Sequence, residues 1–387
     1  MNVIENKTGR KINDVITISY RDNNKKRPYL ILNKLQGKYN PVNCSEALEM
    51  FDKLGNEVQI DKVDSHTHIL VVGFAETATA IGAGVADRIA KNYPTARVTY
   101  LPTTREQYTN MEKIEFTEDH SHAVEQILYI SPDKLSDITH IVFAEDEVTT
   151  GNTIRHCVEQ LNNLLKDGHK LNYIVASLMN CMDDDEMGRF NELGIKAVWL
   201  IKTDKEGFDE YTTQTDTSDP VDNDELYHEV ALEFSYINND VEMHNVRFGL
   251  SIQEYKEQID MASDQVIAHV TDAFYGEGSK DKKILCLGTE ECMYPALRIG
   301  KKLEKYGYTV ESQATTRVPV CVHREDEDTL FNRYDVESVY GNRANFIYNM
   351  KHYDMVVIVT DGNVVPEKLV KIFTHLFEVN NIAVMFV

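Results

Sequence analysis

Residues 141–154 read IVFAEDEVTTGNTI, and the order of residue types in that stretch dictates a local fold. Ile141 to Ala144 form an apolar run of the length of a buried strand. Three carboxylates follow, then two threonines, a glycine and the start of a helix-like segment over residues 153–166. The backbone N–H groups of Val148, Thr149, Thr150, Gly151, Asn152 and Thr153 would lie at a helix N-terminus. There they can surround a phosphate dianion, helped by the Thr149, Thr150 and Thr153 hydroxyls. Gly151 allows the backbone to come close to a ligand without a Cβ in the way. Glu145 and Asp146, at the end of the strand, can accept hydrogen bonds from two vicinal hydroxyls and stabilise positive charge on a nearby carbon. A simple helix cap would need only Thr149 or Thr150, and does not call for the acids, the glycine and Thr153 together.

Outward from this stretch, short apolar runs alternate with helix-like segments, the pattern of βαβ units and a largely parallel sheet. Strands are predicted at 69–72, 97–101, 127–130, 171–178 and 197–201, and helices at 77–91, 153–166 and 183–192. Residues 103–122 are polar and without clean periodicity, and read as a long loop. The acidic, apolar-poor stretch 203–225 reads as a linker. It divides the chain into a domain over 1–210, with 1–65 as an N-terminal extension, and a second, smaller α/β domain over 226–387. The extension carries a strand-like run at 29–32, and 226–387 carries a long helix at 253–273 and a strand at 284–287. The second domain also echoes the first. ILVVGFAETATAIGAGVADRIA followed by YLPTTR in the first half is matched by ILCLGTEECMYPALRIGKKLE followed by SQATTR in the second. Gly73 pairs with Gly288, Glu76 with Glu291 and Arg105 with Arg317, as expected of a degenerate repeat with Glu291 and Arg317 as its own candidate site residues. The apolar run before Asp361 is not followed by an acidic pair or a Thr-Thr-Gly turn, so one catalytic centre per chain is expected.

The chain has 387 residues, 42% of them apolar, which suffices for two cores. A formal charge of −23 repels nucleic-acid phosphates and anionic membrane surfaces, so neither is an expected partner. The six cysteines are scattered without a Cys-x-x-Cys pair, which suits reduced thiols. No leader-like start and no run of about 20 apolar residues is present, and a cytoplasmic location is expected.

The 141–154 stretch resembles the phosphoribosyl pyrophosphate (PRPP) signature of type I phosphoribosyltransferases, with Glu in place of the commoner Asp at 145 and Glu147 where an apolar residue is usual. The resemblance implies that fold, Glu145 and Asp146 as catalytic acceptors for the ribose hydroxyls, and Val148 to Thr153 as the phosphate cradle. It implies a pyrophosphate loop at Gly73, Phe74, Ala75, Glu76 and Thr77, a place that taken alone reads equally as the start of a helix. A closing loop over 103–122 is implied too, with Arg105 as the catalytic cation for pyrophosphate and Lys113 a poorer candidate; a plain surface charge is the alternative for Arg105. His120 and His122 could act as loop acid/base groups, bind metal, or sit in solvent. Trp199 could stack on a base or belong to the core, and Asp183 to Asp185 read as a helix cap before a metal site.

With RPYLILNKLQGKYNP, EDHSHA, ATTRVP and FNRYDVESVYGNRANFIYNM included, the chain resembles bacterial phosphoribosyltransferases with a C-terminal TRSP domain, associated with tellurite-resistance and stress operons. Val318 stands where the serine of that name would be. The resemblance implies transfer of ribose 5-phosphate from PRPP to a nitrogenous, base-like acceptor, with Mg²⁺ held mainly by substrate oxygens rather than by protein ligands. The product would be a nucleoside-like metabolite, and residues 1–65 would contribute a hood over the acceptor. A non-catalytic PRPP or nucleotide sensor is the alternative. A homodimer is compatible with the sequence, which does not fix the assembly.

Overall fold

His68–Gly73 is buried from Ile69 onward, as a strand covered on both faces must be. It pairs in parallel with His140–Val148 on one side and Arg97–Tyr100 on the other. Asn172–Asn180 and Ile195–Thr203 extend the sheet, again in parallel. Two short antiparallel strands close its edges, Val3–Asn6 beside Ile195–Thr203 and Leu250–Ser251 beside Arg97–Tyr100, giving seven strands. This structure is a computed structural model; it describes residues 2–20, 29–116, 126–165, 169–205, 234–276, 281–322, 330–364 and 366–387, the Asn342 side chain excepted.

The crossover helices bury one face each. Asn152–Leu164 buries Ile154, Cys157, Val158 and Leu161, the spacing of a helical stripe. Thr79–Asn92 lies so close to its strand that a Cβ on Gly82 would stand 2.7 Å from the Gly73 Cα. Small residues in AIGAG make that approach possible, and the buried Tyr100 hydroxyl fixes it by donating to Thr79 O at 2.6 Å.

A second sheet of six strands is built from Ser235–Ile237, Ile382–Phe386, Met355–Thr360, Lys283–Gly288 and Thr309–Ala314 in parallel, with Val42–Asn43 antiparallel at the edge. Leu285, Leu287, Val356, Ile358 and Val384 face its core together with Phe373. The molecule is therefore mixed α/β with a parallel-sheet first unit and a further α/β unit after it, the expected class.

The units are not contiguous in sequence. One comprises Met1–Gly9, Glu49–Gly207 and His244–Lys256; the other comprises Arg10–Leu48, Phe208–Met243 and Glu257–Val387. Residues 10–48 and 244–256 are thus grouped otherwise than by a division at 1–210 and 226–387. Residues 10–48 join the second unit because Val42–Asn43 pairs with Thr309–Ala314 and because Cys321 N donates to Tyr20 O at 2.8 Å. Residues 244–256 join the first because Leu250–Ser251 completes its sheet. The run at 29–32 is a strand, Tyr29–Asn33, paired with Ile16–Tyr20. Part of the expected loop 103–122 is strand as well, since Ile114–Phe116 pairs with Gln126–Leu128.

Candidate active site

The strand His140–Val148 runs four residues beyond its apolar part, so that Glu145, Asp146 and Glu147 belong to the strand itself and are half-buried. Val148 is held by Cys181 N, which donates to its carbonyl at 2.8 Å. The chain then turns through Thr149 and Thr150 to Gly151, whose φ of 69° is left-handed, and enters the helix Asn152–Leu164. A Cβ at Gly151 would lie 2.4 Å from Phe190 Cε1 and 3.1 Å from Met182 Sδ, so both conformation and space require glycine. Asn152 N donates to Thr150 Oγ1 at 3.3 Å, and Thr153 follows in the first helical turn. The result is a short turn at a helix N-terminus, an arrangement whose amide dipoles favour an anion.

Asp146 ties this turn to the loop after His68–Gly73. Its carboxylate interacts with the Thr77 side chain, which favours the charged form, and accepts from Glu147 N at 2.9 Å. Burial pushes the Asp146 carboxyl up to about 6, with the neighbouring Glu147 charge acting in the same direction. The Gly73–Thr77 loop is itself anchored. Phe74 N donates to Ala144 O at 3.3 Å, and the Phe74 ring stacks on Phe143. Ala75 is held on both faces of its backbone: its N–H donates to Thr103 Oγ1 at 2.7 Å, Thr103 donates to Gln126 Oε1 at 2.5 Å, and Gln126 Nε2 donates to Ala75 O at 2.6 Å. A cis peptide joins Ala75 to Glu76, and Glu76 is buried at the loop tip. Arg105, half-buried, follows directly on the Thr103-Thr104 pair.

Two family models match this chain. One, described as phosphoribosyl transferase, spans residues 15–203, and the other, described as the TRSP domain C-terminal to it, spans residues 244–376. The chain belongs to this phosphoribosyltransferase family. No match to a curated protein was found. Among solved structures, it is similar to adenine phosphoribosyltransferase from Rhodothermus marinus, with 14% identity over 41% of this chain and 80% of that one, at a TM-score of 0.27. The Trypanosoma brucei enzyme, in complex with AMP, pyrophosphate and ribose-5-phosphate, matches at 13% identity over 54% of this chain and 82% of that one, with a TM-score of 0.33. The Saccharomyces cerevisiae enzyme, complexed with an imino-altritol bisphosphate and adenine, matches at 12% over 48% and 94%, with a TM-score of 0.29.

Within the phosphoribosyltransferase unit, Glu145, Asp146, Val148 to Thr153, Gly73 to Thr77 and Arg105 lie at the C-terminal ends of three adjacent strands or on the segments that follow them. His120 and His122 lie outside the described residues. Trp199 is on the strand Ile195–Thr203, half-buried, with its Nε1 donating to Glu5 Oε2 at 2.7 Å and Lys7 and Lys202 over its ring. Asp183 is a helix cap: it accepts from Glu186 N at 2.9 Å while its own N–H donates back to Glu186. The sequence reading missed Thr103, Gln126 and Arg247. For Gln126 a signal existed, since QILY at 126–129 recurs as NFIY at 345–348.

That recurrence is structural. In the second unit Thr315 N donates to Gly288 O and Glu290 N to Thr315 Oγ1, as Thr103 N does to Gly73 O and Ala75 N to Thr103 Oγ1 in the first. Asn345 Nδ2 reaches Thr315 Oγ1 at 3.2 Å, in the position of Gln126. The centre is different. The fully buried Glu290 accepts from Arg317 Nε at 2.6 Å, Ser338 Oγ at 2.6 Å and Val339 N at 3.1 Å. Thr289 N donates to Val359 O as Phe74 N does to Ala144 O, which places Thr360 and Asp361 where the first unit has Glu145 and Asp146. Asp361 accepts from the Tyr340 hydroxyl at 2.5 Å, and Glu291 is half-buried beside Glu290.

Proposed function

We propose that the first unit transfers ribose 5-phosphate from PRPP to a nitrogenous, base-like acceptor with release of pyrophosphate. The observation that carries this reading is the parallel pairing of Gly73 with Ala144, extended by Phe74 N donating to Ala144 O at 3.3 Å, which brings the turn at 148–153 and the loop at 73–77 to the same end of two adjacent strands. A 5′-phosphate on the first and a pyrophosphate on the second would hold one substrate by both ends, with the ribose between them. Glu145 and Asp146 would accept from the ribose hydroxyls and stabilise positive charge as the bond from C1 to pyrophosphate breaks. Arg105 would meet the departing pyrophosphate.

The carboxylates suit a hard cation, but no group of three or more His, Cys, Asp or Glu among the described residues could hold a metal by itself. Mg²⁺ would sit mainly on pyrophosphate and ribose oxygens, beside Glu145 and Asp146, and neutralise charge on the leaving group. No helix among the described residues is long and apolar enough to cross a membrane. We place the enzyme in the cytoplasm, in biosynthesis of a nucleoside-like metabolite linked to stress or tellurite resistance. The second unit reads as a copy that has lost the chemistry, because Glu290 takes up the corresponding loop with the protein's own carboxylate.

The test is pyrophosphate release from PRPP with Mg²⁺ across a panel of bases, comparing the native chain with Asp146→Asn and Arg105→Ala. Release with at least one base, lowered by orders of magnitude in Asp146→Asn, is expected. Arg105→Ala should weaken binding of PRPP and pyrophosphate while keeping that of ribose 5-phosphate. Tight PRPP binding with no turnover on any base would replace transfer by sensing.

A further inference from the structure

Arg247 lies inside the span of the TRSP family match, yet it belongs to the unit that holds the PRPP site. It sits in a short 3-10 turn, Val246–Phe248, directly before the edge strand Leu250–Ser251. The residue is only 5% exposed and its Nε donates to Thr104 Oγ1 at 3.2 Å. Thr104 Oγ1 also accepts from Glu106 N at 3.1 Å, so one hydroxyl bridges the backbone around Arg105. On the far side of Arg105, Asn245 Nδ2 donates to the Tyr108 hydroxyl at 3.2 Å. The Phe248 ring meets Tyr108 and Tyr129 edge-on at 5.1 and 5.7 Å. Tyr129 in turn receives Tyr108 N at 2.6 Å and donates to Glu106 O at 2.9 Å. The segment 245–248 thus grips residues 104 and 108, on both sides of the candidate pyrophosphate cation.

We propose that Arg247 is a positioning residue for Arg105, and that 245–248 is a strap that sets the backbone of residues 104–108; this rests on the PRPP reading above. Guanidinium stays protonated at any working pH, so its burial is costly unless its charge-assisted bonds are made. Thr104 Oγ1 supplies one such acceptor, to Nε. In the second unit the same turn exists, with Val318 N donating to Thr316 Oγ1 around Arg317, while the buried Lys38 donates to the backbone carbonyls of Thr315 and Glu290 at 3.0 and 3.3 Å.

The experiment is calorimetric titration of the full chain with Mg–PRPP, pyrophosphate and ribose 5-phosphate, for the native protein, Arg247→Met, Arg247→Lys, Thr104→Val, Arg105→Ala and Arg247→Met/Arg105→Ala. The expected result is at least tenfold weaker PRPP and pyrophosphate binding in Arg247→Met and Thr104→Val, partial rescue by lysine, and ribose 5-phosphate binding within twofold of native. The double variant should bind no more weakly than Arg105→Ala alone, because Arg247 acts through Arg105. Pyrophosphate affinity unchanged in folded Arg247→Met, equal losses for ribose 5-phosphate, or additive losses in the double variant would each overturn the proposal. If Arg247→Met does not fold, Thr104→Val and Arg247→Lys decide by the same criteria. A native chain that binds neither PRPP nor pyrophosphate would instead bring down the PRPP reading itself.

Discussion

Burial pushes the Asp146 carboxyl up to about 6, so at pH 7.5 it is ionised at a cost to the fold. A carboxyl whose pKa is raised on folding stabilises the native state most below its unfolded value, and that contribution is lost as pH rises through about 6. The shift from 3.8 corresponds to at most about 3 kcal/mol. Asp146→Asn should therefore be the more stable protein at pH 7.5, by about 1–2 kcal/mol after loss of its hydrogen bonds, with the gap closing toward pH 4. Urea unfolding at several pH values measures this; a variant less stable than native at pH 7.5 would remove the desolvation argument. In the native chain PRPP binding should weaken as pH falls through about 6, and that step should be missing in Asp146→Asn. Gly151 makes the opposite trade. Alanine there would meet Phe190 at 2.4 Å in a left-handed conformation, and Gly151→Ala should lose about 2 kcal/mol in urea and weaken ribose 5-phosphate binding. Unchanged values for both would show that the turn can rearrange.

At the level of elements, the Gly73–Thr77 loop depends on a residue from the hairpin of Ile114–Phe116 and Gln126–Leu128. Gln126→Leu keeps the bulk of the side chain but removes the donor to Ala75 O and the acceptor for Thr103, both buried. Leaving such groups unmatched costs about 1–3 kcal/mol each, and the loop should loosen first. We expect the KM for PRPP to rise about tenfold or more with a smaller change in melting temperature; a stability loss with unaltered KM would make Gln126 structural only. This clamp was hidden in the sequence for a physical reason. The strand, acids and Thr-Thr-Gly turn of 141–154 act through consecutive residues, so their order was readable, and the AIGAG helix announced its close packing through composition. Gln126 and Thr103 act through a contact 23 positions apart, and Arg247 reaches Thr104 across 143. Nothing local marks such pairs. The edge strands Val42–Asn43 and Leu250–Ser251 are too short to show any alternation.

On the scale of the whole molecule, that illegible pair of edge strands redraws the domains. A fragment ending near 210 would lack the strand Leu250–Ser251 and Arg247, and one starting near 226 would lack Val42–Asn43 and the buried Lys38. Expressed separately, the two fragments should be aggregation-prone or readily proteolysed, and neither should bind PRPP; a monomeric, protease-resistant 1–210 fragment with native affinity would refute the exchange. The exchange also sets a schedule for biosynthesis. Residues 10–48 are synthesised well before their partner strand Thr309–Ala314. At about 5–20 residues per second that wait lasts on the order of tens of seconds. Through it the nascent chain carries Tyr29–Asn33, with Leu30 and Leu32 that end in the core beside Val320 and Tyr348, before that core exists. A chain built in this order needs a holding chaperone more than a contiguous two-domain protein would, and its yield in a cell should track chaperone supply more closely than its equilibrium stability.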